Sequence, residues 1–162
     1  MVTDFDLQIK MVPRGNSATA DAYLSPLIKR YVKNFGTGFK DGVEAIAGKL
    51  LFMQSDGGLC LWQKFSGLRA ILSGPAGGVI GYAKSCYDAG EKRPLLGFDM
   101  GGTSTDVSRF AGTYDHIFET ETTEVTLQVP QLDINTAIGD KFTVFTNEVL
   151  KLIIYGYFKI DI

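Results

Sequence analysis

Residues 97–109 read GFDMGGTSTDVSR, and this stretch decides the fold. An apolar run, PLLGFDM, contains Asp99 near its end, and Asp106 stands near the start of a second run, TDVSRF. Two strand-like runs joined by a short glycine-containing segment predict a β-hairpin. The sequence therefore places one aspartate on each side of a tight turn.

The turn itself has two interpretations. Two adjacent glycines between strands are common in ordinary hairpin turns. Alternatively, the glycines let successive backbone N–H groups form a nest that binds phosphate oxygens, and the nearby aspartates organise a hydrated Mg²⁺ ion. The candidate phosphate ligands are Gly101, Gly102, Thr103, Ser104 and Thr105, and the candidate metal ligands are Asp99 and Asp106. The stretch matches neither a Walker loop nor a dinucleotide fingerprint, because their lysine and glycine spacings are missing.

A small-residue segment, SGPAGGVIGYAKSCYDAG, precedes the hairpin at residues 73–90. It predicts a helix with Pro75 in its first turn that ends near Gly90. Gly77 and Gly78 leave the first turn without bulk, at about 1 kcal/mol each relative to alanine. They predict the close approach of a ligand or another backbone, and the alternative is packing of the helix on a sheet.

The first helical pattern is SATADAYLSPLIKRYVKNF, residues 17–35. Apolar residues recur there at helical spacing. Because proline interrupts helices, Pro26 predicts a kink or a fresh start with Ser25 as N-cap.

Further elements follow from short patterns. KLLFMQSDGG, residues 49–58, predicts a strand that runs into a turn around Asp56. Leu68, Ile71 and Leu72 predict a short helix that stops at Ser73-Gly74, and residues 114–134 predict two or three strands. This order of helices and strands predicts α/β or α+β architecture.

Composition narrows the function classes. The chain has 162 residues and a formal net charge of −2, so it carries no broad basic face for nucleic acid. Cys60 and Cys86 are expected to be reduced thiols, and His116, the only histidine, is expected to be structural rather than catalytic. The N-terminus is unlike a signal peptide, and the late apolar run LIIYGYF is far shorter than the ~20 residues of a membrane span. We expect no membrane partner and a cytosolic location.

Residues 74–90 and 94–108 together resemble the second phosphate-binding segment of the actin-like ATPase superfamily. The resemblance becomes narrower when further motifs are added. Residues 11–137 resemble the ATP-dependent 5-oxoprolinases of the hydantoinase A family through MVPRG, ADAYLSP, LLFMQSDGGLC, FSG, RAILSGPAGGV, GFDMGGTSTDVSR and PQLDINT.

The resemblance implies an α/β fold that is part of an actin-like (ribonuclease H-like) ATPase domain, with an incomplete two-lobed architecture. It implies an enzyme that uses ATP to open 5-oxo-L-proline to glutamate, with Mg²⁺ and a monovalent cation such as K⁺. Asp99 and Asp106 would have catalytic and metal-organising roles. The residues that would approach the nucleotide are Gly77, Gly78, Gly101, Gly102, Thr103, Ser104 and Thr105.

Departures from the family leave alternatives open. The first phosphate loop has no counterpart, and Gly74 stands where related chaperone ATPases carry an acidic residue that positions water. Residues 1–137 are expected to be a family fragment, and residues 138–162 a divergent tail. The first hypothesis is a lactam hydrolase fragment with half a nucleotide site, inactive alone. The second is a non-catalytic interaction module that forms a homodimer or docks on the full-length enzyme. A small-molecule kinase of the same fold is a third.

Two other polar residues have less specific interpretations. Asp56 is expected either to end a strand or to form a wall of the nucleotide or lactam site. Arg14 is expected either to pair with a carboxylate or to form a surface ion pair.

Overall fold

A computed structural model describes residues 10–46, 48–101, 104–122 and 125–138. The described residues form two compact units. The first comprises the described residues up to Ser73 together with Ile117–Gln131, and the second comprises Gly74–His116 together with the described residues from Leu132 to Ile138. The helices are α1 (Met11–Gly36), α2 (Gly67–Ala70) and α3 (Ser73–Cys86). The strands are β1 (Leu51–Met53), β2 (Leu59–Leu61), β3 (Leu95–Met100), β4 (Ser104–Phe110), β5 (His116–Thr122), β6 (Val125–Leu132) and β7 (Ile134–Ile138).

The first unit contains α1, α2 and two two-stranded sheets, the antiparallel pair β1-β2 and the pair β5-β6. Its core has two clusters of buried apolar side chains. One consists of Leu68, Leu127 and Val129, and the other of Val32, Val43 and Phe65. Burial of these side chains is the main source of stability that the sequence supplies to this unit.

The fresh start predicted at Pro26 was wrong, because α1 begins at Met11 and continues through Pro26 to Gly36. A kink at Pro26, the other alternative, stays a prediction. Ser25 is not an N-cap. Its Oγ donates to Asp21 Oδ1 (2.9 Å) and accepts the backbone N–H of Gly67 (2.9 Å). Asp21 Oδ1 also accepts the N–H of Leu68 (3.0 Å). The two side chains therefore accept hydrogen bonds from the first two backbone N–H groups of α2, which have no partner within the helix. Contacts with α2 therefore override the local preference for a break.

The second unit is built on a three-stranded antiparallel sheet of order β3-β4-β7, with α3 in the same unit. The predicted hairpin is confirmed. The bounds of two predicted helices were wrong: α2 ends at Ala70, and Ser73 and Gly74 lie inside α3. The second helix ends at Cys86 rather than near Gly90, because Asp88 Oδ1 accepts the N–H of Gly90 (2.7 Å) and forms a separate turn.

The chain is a mixed helix and sheet protein, as predicted. The pairs β1-β2, β3-β4 and β4-β7 are antiparallel, which favours the α+β form of the prediction. No described helix has both the length and the apolar character that a bilayer crossing requires. The predicted tail begins at Ile138, the last residue of β7, and the rest of it lies outside the described residues.

Candidate functional site

Two rows of residues cross the β3-β4-β7 sheet. Register pairs Asp99 with Asp106 and Asp106 with Thr136, so these three residues form one row. The next row on the same face pairs Gly97 with Ser108 and Ser108 with Ile134. Directly opposite residues in an antiparallel pair have Cα atoms about 4.5–5.5 Å apart. The hairpin therefore brings the two predicted metal ligands together.

A cleft of about 370 Å³ lies between this sheet face and α3. Such a volume is within the range of about 300–1,000 Å³ that ligand sites occupy. Both aspartates line it, together with Pro75, Gly78, Val79, Gly81, Tyr82, Ser85, Gly97, Phe98, Ser108 and Ile134. The cleft thus joins the two motifs that the sequence singled out, the small-residue helix and the glycine hairpin.

The two carboxylates differ in their partners. Thr136 Oγ1 donates a hydrogen bond to Asp106 Oδ1. Within the described part of the chain, the carboxylate of Asp99 has no hydrogen-bond or ion-pair partner, and the residue is exposed. Like charges directly opposite each other in a sheet are destabilising. A cation between Asp99 and Asp106 would remove that repulsion.

The turn is only partly described. Gly101 donates its N–H to the carbonyl of Ser104 (3.0 Å) and closes the hairpin. Ser104 is half-buried on the face of Asp106, whereas Thr105 is buried on the opposite face. Gly102 and Thr103 lie outside the described residues, so the phosphate nest stays a prediction.

The wall formed by α3 is open at Gly78. A Cβ built on Gly78 would meet no atom within 4 Å. Gly77 precedes it in the helix but does not line the cleft. The structure therefore places Gly78, but not Gly77, beside the two aspartates.

Sequence reasoning missed Tyr82, Ser108 and Thr136. The Tyr82 hydroxyl forms a 3.0 Å hydrogen bond with Ser108 Oγ, and its ring covers Gly97. Burial raises the pKa of Tyr82, an effect that the hydrogen bond to Ser108 opposes and the charge of Tyr114 reinforces. A lone glycine inside the strand PLLGFDM was the signal for this close approach.

The remaining predicted candidates lie apart from the cleft lining. Asp56 Oδ1 accepts the N–H of Gly58 (2.8 Å) within the β1-β2 turn, which supports the strand-ending interpretation. His116 is exposed at the start of β5 and contacts the carbonyl of Tyr114, and Arg14 lies in the first turn of α1. Cys60 and Cys86 are half-buried free thiols.

Comparison with known proteins identifies the family. The hydantoinase/oxoprolinase family model matches residues 14–152. The chain is 55% identical over 129 residues to the 5-oxoprolinase of Saccharomyces cerevisiae. It is 52% identical over 128 residues to 5-oxoprolinase 1 of Arabidopsis thaliana. Each match covers 79% of this chain and 10% of the relative, so the chain spans about a tenth of the length of these relatives.

A solved structure is also similar. The ATP-dependent caprolactamase from Pseudomonas jessenii superimposes with a TM-score of 0.58 at 26% sequence identity. The match covers 80% of this chain and 19% of the caprolactamase. The family resemblance predicted from the motifs is confirmed: the chain belongs to the hydantoinase/oxoprolinase family.

Proposed function

We propose that this chain supplies one phosphate-binding half of the nucleotide site in an ATP-dependent hydrolase of cyclic amides. The proposed substrate is 5-oxo-L-proline, and the products are L-glutamate, ADP and phosphate. One observation carries the proposal: Asp99 and Asp106 face each other at a cleft that is walled by a glycine-containing helix. The names of the relatives support it, since they include 5-oxoprolinases and an ATP-dependent caprolactamase.

The chemistry explains why ATP would be needed. An unstrained amide is a poor electrophile. In the proposed reaction the lactam oxygen attacks the γ-phosphorus and ADP leaves. Water then adds to the activated carbon, and the ring C–N bond breaks as the nitrogen leaves with a proton from that water, which gives an acyl phosphate. A second water hydrolyses the acyl phosphate to the carboxylate and phosphate. The protein contributes positioning and charge stabilisation to these steps.

The donor set fits Mg²⁺. This ion is usually held by one or two carboxylates, with water and nucleotide phosphate completing its shell. Asp99 and Asp106 supply that number, and the described residues contain no cluster of three or more acidic, histidine or cysteine side chains. When bound, the ion would neutralise charge that develops on the phosphoryl group. The aspartates would hold it and its waters at the mouth of the hairpin.

The phosphate contacts would come from the turn and from α3. Two observations support this: Gly78 lines the cleft, and Gly101 donates its N–H to Ser104 at the turn between the two aspartates. Roles for Gly77, Gly102, Thr103 and Thr105 stay predictions from the resemblance, as do the K⁺ ion, the cytosolic location and the division into residues 1–137 and 138–162. On this account the other half of the phosphate site lies outside this chain, so the chain alone is expected to bind ATP without hydrolysing the lactam.

Isothermal titration of Mg-ATP into the purified chain tests the proposal. We expect micromolar binding that Asp99→Asn abolishes. Asp115→Asn is the matched control, because Asp115 is an exposed carboxylate of the same unit that does not line the cleft. A folded, monodisperse chain that does not bind Mg-ATP would contradict the proposal.

One observation favours the interaction module as a second candidate. Tyr23, Leu27, Tyr31 and Phe35 recur every fourth residue along α1, and each is at least 40% exposed. An exposed apolar stripe of this kind is typical of a surface that another protein covers. Size-exclusion chromatography with a full-length enzyme of the family tests docking: the chain would co-elute with it, and Tyr31→Asp would not. Separate elution of the unaltered chain would contradict this second candidate.

A further inference from the structure

The two aspartates of the row Asp99–Asp106–Thr136 differ in their hydrogen bonds. Thr136 lies opposite Asp106 across the β4-β7 pair, and its Oγ1 donates to Oδ1 of that carboxylate. Asp106 Oδ2 and both oxygens of Asp99 have no hydrogen-bond partner among the described residues. One carboxylate of the pair is therefore oriented by a neighbouring strand, and the other is not.

We propose that Thr136 is a positioning residue that orients Asp106 for metal binding. This inference rests on the proposed function, which assigns the metal to the two aspartates. A hydroxyl that donates to Oδ1 fixes the rotation of the carboxylate and leaves Oδ2 available to a cation. Hydrogen bonds that orient metal ligands in this way commonly change metal affinity by about 10–100-fold when they are removed.

The two aspartates then have different roles. Asp106 is half-buried and restrained, so it presents its oxygen at little further loss of side-chain freedom. Asp99 is exposed and unrestrained, so it adjusts to the metal as the nucleotide enters. A pair with one fixed and one adaptable ligand would couple metal binding to the arrival of ATP.

A merely structural role for Thr136 makes different predictions. Threonine favours strands because it is branched at Cβ, and Thr136 could serve only the pairing of β7 with β4. Valine keeps the branch and removes the hydroxyl, whereas serine removes the branch and keeps the hydroxyl. The two substitutions therefore separate positioning from strand stability.

The experiment uses the purified chain with Thr136→Val and Thr136→Ser. Two quantities are measured for each: the Mg²⁺ concentration that half-saturates ATP binding, and the affinity for ATP in EDTA. We expect valine to raise the required Mg²⁺ about 10–100-fold. We expect the affinity of Thr136→Val for ATP in EDTA to equal that of the unaltered chain. We expect Thr136→Ser to match the unaltered chain in both quantities. Urea midpoints show whether each variant remains folded.

Three results would overturn the proposal. If Thr136→Val needs no more Mg²⁺ than the unaltered chain while Asp106→Asn loses metal-dependent binding, the positioning role fails and the proposed function stands. If valine weakens ATP binding equally with and without Mg²⁺, or if serine fails to restore it, Thr136 is structural. If the unaltered chain shows no metal-dependent ATP binding, the proposed function fails as well.

Discussion

The ring of Tyr82 occupies the space where a side chain at Gly97 would lie. A Cβ built on Gly97 would overlap Cε1 of Tyr82 and lie 2.8 Å from Ser108 Oγ. The Tyr82 hydroxyl is itself hydrogen-bonded to Ser108 Oγ at 3.0 Å. This contact sets how closely α3 approaches the sheet, and it lies one row below the facing pair of aspartates. The width of the cleft thus depends on Gly97, which has no side chain to contact a ligand.

Gly97→Ala is expected to destabilise the chain. The new methyl group forces Tyr82 and Ser108 apart, and overpacking of this kind costs about 1–3 kcal/mol. Urea unfolding measures the change in the free energy of unfolding. Gly74→Ala is the control, because a Cβ on Gly74 in α3 meets nothing within 4 Å. Equal stability of the Gly97 and Gly74 variants would contradict this prediction.

Tyr82→Phe is expected to lower stability by about 0.5–1.5 kcal/mol through the lost hydrogen bond to Ser108. The difference should depend on pH. Burial raises the pKa of Tyr82 above its unfolded value, so this contribution is fully present below the unfolded pKa of about 10 and is lost as pH rises through the folded pKa. Urea unfolding of both proteins between about pH 7 and 11 measures it. A difference that grows above about pH 10 would have the wrong sign.

Gly78→Ala should separate stability from nucleotide binding. Alanine in the helix adds up to about 1 kcal/mol of stability, and its methyl group enters open space in the cleft. We expect weaker Mg-ATP binding together with an unchanged or higher urea midpoint. Gly74→Ala, at an exposed position that does not line the cleft, should leave ATP affinity unchanged. Unaltered affinity in the Gly78 variant would show that nucleotide does not approach α3 there.

Ser17→Ala tests the first unit. Ser17 is fully buried, and its Oγ donates to the carbonyl of Pro13 (2.8 Å) and accepts the N–H of Gln128 (2.7 Å). Removing the Ser17 hydroxyl leaves the backbone N–H of Gln128 without this partner, which lowers the free energy of unfolding by about 1–3 kcal/mol. Thr19→Ala removes a comparable bond, to the carbonyl of Gly15, at an exposed position, so it should cost less. Comparable losses in thermal unfolding would contradict this reasoning.

The hairpin could be predicted from the sequence because its signals are local. Residues 97–109 contain most of both strands, the turn glycines and both aspartates, so nothing distant is needed to place Asp99 opposite Asp106. The small-residue helix was predictable for the same reason. The end of this helix was harder to predict. The helix ends at Cys86, before the turn that the Asp88 side chain forms with Gly90.

Distant contacts account for what the sequence could not predict. The Ser25 side chain, predicted as an N-cap of its own helix, instead bonds to Asp21 and to Gly67 in another helix. The restraint on Asp106 comes from Thr136 on β7, and two further strands separate β7 from β4 along the chain. Local propensity carries no information about either partner.

The most direct test of the central claim is to locate the metal. Mn²⁺ replaces Mg²⁺ in a solution of the isotope-labelled chain with ATP, and the broadening of each backbone amide signal is recorded by NMR. We expect the signals of Asp99 and Asp106 to broaden most, and to do so only when ATP is present. Broadening centred elsewhere, or the same broadening in Asp99→Asn, would contradict the assignment of the two aspartates as the metal site.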